Sequence, residues 1–131
     1  MTDGSNDANS AGMGESFPAA RRVKHRGDFE RIFKRGKVAA DGVLVIHGVR
    51  RIAEGQIFPT TRLGLSVSKK VGSAPVRNRW KRLIREAFRT QVGRLPESID
   101  LVVRPKRGAQ PSLPEIRKSL LRLAKKIERK I

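Results

Sequence analysis

The chain has 131 residues, 30 of them Lys or Arg against 12 Asp or Glu, a formal net charge of +18. That length suits one ordinary domain, and 37% hydrophobic residues suffice for a modest core, so the chain is not simply a basic disordered tail. The absence of cysteine excludes disulfide scaffolds, Cys-based zinc sites and thiol catalysis, and no apolar run approaches the roughly 20 residues that span a bilayer.

Such a charge excess points to a polyanionic partner. Residues 1–16 carry Asp3, Asp7 and Glu15 but no Lys or Arg. Rich in Gly, Ser, Asn and Ala, they are expected to form a disordered acidic tail without the basic and apolar regions of a secretory signal. Residues 17–131 are expected to form a single domain with 30 basic and 9 acidic residues, a net of +21.

The first expected element is a short helix from Gly27 to Gly36. Phe29, Ile32 and Phe33 fall at i, i+3 and i+4, acidic residues occupy its first turn, and Gly36 is a stop. Val43 to Val49 is β-branched and follows Asp41-Gly42, which predicts a strand. Arg50 to Thr61 mixes charge, Gly and Pro around Ile57-Phe58 and reads as a loop that contains at most part of a strand. Leu63 to Ser68 alternates strictly, so Leu63, Leu65 and Val67 share one face while Gly64, Ser66 and Ser68 share the other. That small-residue face is expected to pack a helix poorly and to leave a shallow groove.

Pro75 to Val92 predicts the best-defined amphipathic helix. Val76, Trp80, Leu83, Ile84, Ala87 and Phe88 form its apolar stripe, and Asn78, Lys81, Arg82, Arg85 and Arg89 gather opposite. Ile99 to Arg104 is a further strand closed by Pro105. The last helix opens on Ser112-Leu113-Pro114-Glu115, a capping-box pattern, and carries Ile116, Leu120, Leu123, Ala124 and Ile127 on one side. Helices around one sheet make an α+β sandwich.

Catalytic signals are sparse. His25 lies in a basic run and reads as a phosphate contact, whereas His47 lies within a strand and reads as packed or groove-lining. The carboxylates are scattered, and there is neither a glycine-rich phosphate loop nor a nucleophile elbow. The basic pattern is more informative. Lys69-Lys70 directly follows the small-faced strand, and Arg77-Asn78-Arg79 opens the long helix. Exposed helix-start amides favour phosphate, and guanidinium groups grip it bidentately. Only Glu86 compensates the stripe locally, which favours an anion-binding role over a merely solvated face. On spacing alone, Phe29 and Phe33 read as core, as does Trp80.

The segment from Arg62 to Arg89, with G-L-S-V-S-K-K-V-G leading into R-N-R, resembles the signature region of the bacterial ribonuclease P protein subunit. The similarity extends to the Asp28–Gly36 helix, the Asp100–Arg104 strand and the closing helix, roughly Arg21 to Ile127. It implies an αβββαβα sandwich with a single sheet and a left-handed βαβ crossover, an exception to the usual hand. It also implies that a large RNA, using magnesium that the protein does not itself bind, hydrolyses precursor tRNA to remove its 5′ leader. The implied partners are ribonuclease P RNA and precursor tRNA, in the cytoplasm, with no membrane and no protein partner required.

The resemblance assigns Lys69, Lys70, Arg77, Asn78, Arg79, Lys81, Arg82 and Arg85 to RNA binding, and Arg89 joins them from its place on the same basic stripe. It assigns Phe29, Phe33, Val45, His47, Ser66 and Ser68 to a leader cleft, which reverses the core reading for at least one of the two phenylalanines. His47 stands where relatives often carry an aromatic residue. No catalytic or metal-binding residue is assigned. A structural RNA-binding protein, such as a ribosomal protein, is the alternative reading, and a protein-only ribonuclease is a more distant one.

Overall fold

A computed structural model describes residues 21–53 and 55–131; the expected tail over residues 1–16 lies outside them. In chain order the elements are α1 (Arg26–Arg35), β1 (Lys37–Ala40), β2 (Leu44–Arg50), β3 (Ile52–Ala53), β4 (Gln56–Ile57), β5 (Arg62–Leu65), α2 (Ala74–Arg89), β6 (Ile99–Pro105) and α3 (Leu113–Lys130). Four strands form a mixed sheet in the order β1-β2-β6-β5, with β5 and β6 parallel and the other pairs antiparallel. The α+β class stands, but the expectation of a single sheet does not. Within the stretch read as a loop, β3 and β4 form their own two-stranded ladder, pairing Ile52 with Ile57. The turn between them includes Gly55 at φ 79°, a conformation that favours glycine.

The period of two along each strand divides the main sheet into two faces. Leu44, Ile46, Leu63, Leu101 and Val103 meet Trp80, Ile84, Ala87 and Phe88 of α2 and Ile116, Leu120, Leu123, Ala124 and Ile127 of α3 in the main core. Each fully buried side chain of this kind contributes about 1.5–3 kcal/mol. Trp80 is buried, as its place in the stripe requires, but Val76 is exposed because the first turn of α2 projects beyond the core. The opposite face carries a smaller cluster, Val23, Ile32 and Val102 with Phe29 and Val49, under α1.

Local chemistry sets the ends of the elements. Gly36 does cap α1, yet its φ of −75° is ordinary. Glycine is needed there for space, since a Cβ would lie 2.3 Å from the Ile32 carbonyl oxygen. At Ser112 the capping-box pattern is present without the bond: the side chain makes no cap hydrogen bond, and Pro114 opens α3. His25 occupies the N-cap of α1 through its backbone, its carbonyl accepting from the amides of Asp28 and Phe29. β1, a short edge strand rich in alanine, was not anticipated.

Asp41 fastens α3 to the sheet. Its carboxylate accepts the amides of Val43 and Leu44 at 2.8 and 3.0 Å, the Ser119 hydroxyl at 2.7 Å, and the guanidinium of Arg122. Burial pushes this carboxyl up, but the hydrogen bonds from the two amides, Ser119 and Arg122 outweigh it and bring the pKa down from 3.8 to about 2. Both outer edges of the main sheet have contacts of their own. The Val23 amide donates to the Leu63 carbonyl at β5, and Lys130 Nζ donates to the Val38 carbonyl at β1, 2.6 Å away.

Candidate nucleic-acid interface

Two surfaces collect the sequence-derived candidates. The first is the outer face of α2, whose inner stripe is committed to the core. Asn78, Arg79 and Arg82 are exposed, as are Lys69 and Lys70 on the preceding turn (Lys69–Val71), while Arg77, Lys81, Arg85 and Arg89 are half-buried along their stems. Each of these residues keeps part of its surface open among the described residues. Glu86 is the only acid on α2, and it is already engaged by Arg89, with Nη2 at 2.6 Å and Nε at 3.1 Å. Arg89 therefore has less charge to offer an external anion than Arg79 or Arg82. Arg77 Nε is buried with no hydrogen-bond partner among the described residues.

The second surface lies between α1 and the sheet. The pairing register gathers Val38, Ala40, Val45, His47, Val49, Asp100, Val102, Arg104, Arg62 and Gly64 on the face that α1 covers only in part. At one end the helix is clamped by charge. Asp100, with a side chain only 1% exposed, accepts from Arg31 at 2.8 Å and from Arg62 through two bonds of 2.8 Å, with Arg51 at 3.4 Å. Asp28 adds a contact to Arg31 at 3.4 Å. Three guanidinium groups thus surround one buried carboxylate, and removing it would leave Arg51 without a carboxylate among the described residues and Arg31 and Arg62 with Asp28 alone.

In the middle of the interface the small-residue face is not open. A Cβ on Gly64 would lie 2.9 Å from Phe29 Cζ and 3.0 Å from Val23 Cβ, so the half-buried Phe29 ring occupies the space the glycine leaves. The groove expected from the Gly64, Ser66 and Ser68 alternation is therefore filled at its first position, because α1 presents a flat ring that fits directly on backbone.

The far end is open. Phe33 is 40% exposed, and its ring meets the His47 imidazole edge-on, with centroids 4.8 Å apart and planes at 77°. His47 is 8% exposed. Its Nε2 accepts a long hydrogen bond from Arg104 Nε at 3.4 Å, and its Nδ1 is buried with no partner among the described residues. Accepting at Nε2 requires a neutral ring protonated at Nδ1. Burial, reinforced by the Arg104 charge, pushes the imidazole pKa below its ordinary 6.5. Val45 lies opposite Arg104 in the register, half-buried. Ser66 lies one residue past β5 but still donates its amide to the Val103 carbonyl at 3.0 Å. Ser68 has left the sheet and occupies the N-cap of the Lys69–Val71 turn, because β5 ends at Leu65 rather than continuing to Ser68.

Arg104 was not among the sequence candidates. The signal was present in the alternation of β6, where Asp100, Val102 and Arg104 must share the face opposite Leu101 and Val103. Among the described residues no three His, Asp or Glu side chains gather in a way that would hold a metal ion, and no helix is long and apolar enough to cross a membrane.

The family profile described as Ribonuclease P matches residues 17–128. The chain belongs to the bacterial ribonuclease P protein family. It is 40% identical over 108 residues to the "Ribonuclease P protein component" of Brevibacillus brevis, covering 82% of each chain. The counterpart from Shouchella clausii is 41% identical over 107 residues, 81% of this chain and 84% of that one. Among solved structures, the RNase P protein of Thermotoga maritima superposes with a TM-score of 0.72 at 33% identity, covering 81% of this chain and 96% of the other. The Staphylococcus aureus RNase P protein gives 0.68 at 33% identity over 80% and 93%. The chain is thus the protein component of ribonuclease P, the tRNA 5′-processing endoribonuclease, and a subunit of that holoenzyme. Membership in the ribonuclease P family carries with it association with ribonuclease P RNA.

Proposed function

We propose that this chain is the electrostatic and positional partner of a catalytic RNA. In this reading Asn78, Arg79, Lys81, Arg82 and Arg85, with Arg77, Lys69, Lys70 and the partly neutralised Arg89, contact phosphates of the RNA subunit and release counterions from them. The open half of the α1 cleft takes the 5′ leader of precursor tRNA. An unstacked leader base lies against Phe33, over a floor of Val45, His47 and Ser66, while Phe29 forms the wall and Ser68 lies toward the lysine turn. Only the precursor has a leader, so contacts made here favour substrate over mature product.

Bond cleavage belongs to the RNA subunit. Magnesium, when bound there, supplies Lewis acidity at the scissile phosphate. The described residues of this chain offer no ligand set for it, and the contribution of the chain is to relieve repulsion between phosphates. The β5–α2–β6 crossover is left-handed in this reading, as the family resemblance implies, and the work takes place in the cytoplasm without a membrane or a second protein. The observation that carries the proposal is the exposed Phe33 ring, held edge-on by His47 at the unfilled end of an otherwise packed interface. Phe33→Ala tests it. With the chain reconstituted on ribonuclease P RNA, precursor tRNA binding should weaken by about 1–3 kcal/mol, the cost of losing one base–aromatic stack, while mature tRNA binding holds. Equal losses on both tRNAs would make Phe33 a packing residue and end the leader reading.

A further inference from the structure

The cleft contains a cation that no carboxylate among the described residues compensates. Arg104 stands on the open part of the α1-side sheet face, opposite Val45, and its side chain is exposed. Among the described residues no carboxylate pairs with it, whereas Arg31, Arg51 and Arg62 on the same side of the sheet all reach Asp100. Its Nε is directed to His47 Nε2. A guanidinium has five N–H donors, so four remain on the Nη atoms. Held through Nε, those four form a fixed planar fork, the geometry that meets a phosphate bidentately.

We propose that Arg104 is a specificity-determining residue of the leader cleft: its Nη groups clamp one phosphodiester of the leader while its Nε fixes the His47 imidazole beneath Phe33. The inference rests on the leader reading of the cleft and adds a backbone contact to it. Stacking on Phe33 tolerates any base, and a phosphate clamp at a set distance from that ring determines which nucleotide reaches it. A protonated imidazole could not accept from Nε, so the clamp depends on a neutral His47. The surroundings supply one. β1 brings apolar Val38, β6 brings Val102 and Arg104, and α1 brings Phe33, with Arg31 turned to Asp28 and Asp100 and with Glu30, Lys34 and Arg35 on the outer helix face. Arg104 is the charge that bears on the ring, and with burial it disfavours protonation.

The test uses the chain reconstituted with ribonuclease P RNA, precursor and mature tRNA, and Arg104→Met, with folding followed by the fluorescence of the buried Trp80. Precursor affinity should fall about tenfold or more, the loss expected for hydrogen bonds to a charged group, with mature tRNA binding unchanged. A neutral methylphosphonate walked along the leader should reproduce that loss at one position in the wild type and add nothing further in Arg104→Met. Arg104→Lys keeps the charge but loses the fork, so it should recover only part of the affinity, and full recovery would reduce the contact to bare charge and overturn the clamp. In the free chain, which has only two histidines, NMR should find His47 protonated at Nδ1 when neutral, and its titration midpoint should rise in Arg104→Met. If Phe33→Ala weakens precursor binding but not mature tRNA binding while Arg104→Met has no effect, the clamp is wrong and the leader reading survives. If neither substitution discriminates precursor from mature tRNA, the leader reading itself fails.

Discussion

Phe29 is placed by a glycine, and that placement can be measured. Gly64→Ala puts a methyl group 2.9–3.0 Å from Phe29 Cζ and Cε1 and from Val23 Cβ, several tenths of an ångström inside ordinary van der Waals contact. Gly64 has no positive φ, so alanine gains about 0.4–1 kcal/mol from a stiffer unfolded chain. Overpacking of this kind costs about 1–3 kcal/mol, for a net loss near 1–2 kcal/mol. Phe29→Ala alone, at a half-buried site, should cost roughly half of the about 3–5 kcal/mol of a fully buried phenylalanine. In the double variant two of the three close contacts disappear, so it should be about 1 kcal/mol more stable than the sum of the single losses predicts. Urea unfolding of the four chains measures this cycle. Additivity within about 0.5 kcal/mol, the behaviour of independent sites, would mean that Phe29 does not rest on Gly64 and that the groove is open along its whole length.

Salt dependence separates the arginines of α2. Arg82→Ala should reduce the slope of log affinity for ribonuclease P RNA against log salt by about 0.7–0.9, one phosphate contact, whereas Arg89→Ala should reduce it less because Glu86 already holds that guanidinium. An identical change for both would deny Glu86 its role. Asp41 gives an acid limb to stability: with its pKa lowered from 3.8 to about 2, its contribution is whole above pH 3.8 and is lost as pH falls toward 2. The loss amounts to about 2 kcal/mol, and Asp41→Asn should abolish that part of the pH profile. His47 acts at higher pH. Because folding depresses its pKa below 6.5, the unfolded chain takes up the proton first, so stability should begin to fall as pH drops through 6.5. His47→Gln should flatten that segment of a denaturation series.

The elements legible in the sequence were those with long, one-sided periodicity. The α2 stripe of Trp80, Ile84, Ala87 and Phe88 and the α3 stripe from Ile116 to Ile127 lie in the core as their spacing requires, since a helix that long has one way to bury its apolar side. β1 escaped notice because Lys37-Val38-Ala39-Ala40 is short, lies at a sheet edge and buries a single residue. The β3–β4 ladder escaped because its strands are two residues each. At the cleft, periodicity identified the small-residue face but not its occupant, because whether Gly64 is empty or filled depends on the angle at which α1 crosses the sheet. The charge network of Asp100 with Arg31, Arg51 and Arg62 spans up to 69 residues of sequence, and no local pattern could have assembled it.

Cleavage of precursor tRNA by the purified chain alone, by ribonuclease P RNA alone and by the two together bears most directly on the division of labour described here. The account predicts no cleavage at the leader junction by the chain alone at any concentration, and tighter binding of precursor than of mature tRNA when chain and RNA are combined. Cleavage by the chain without RNA, abolished by substitution of its own side chains, would contradict it.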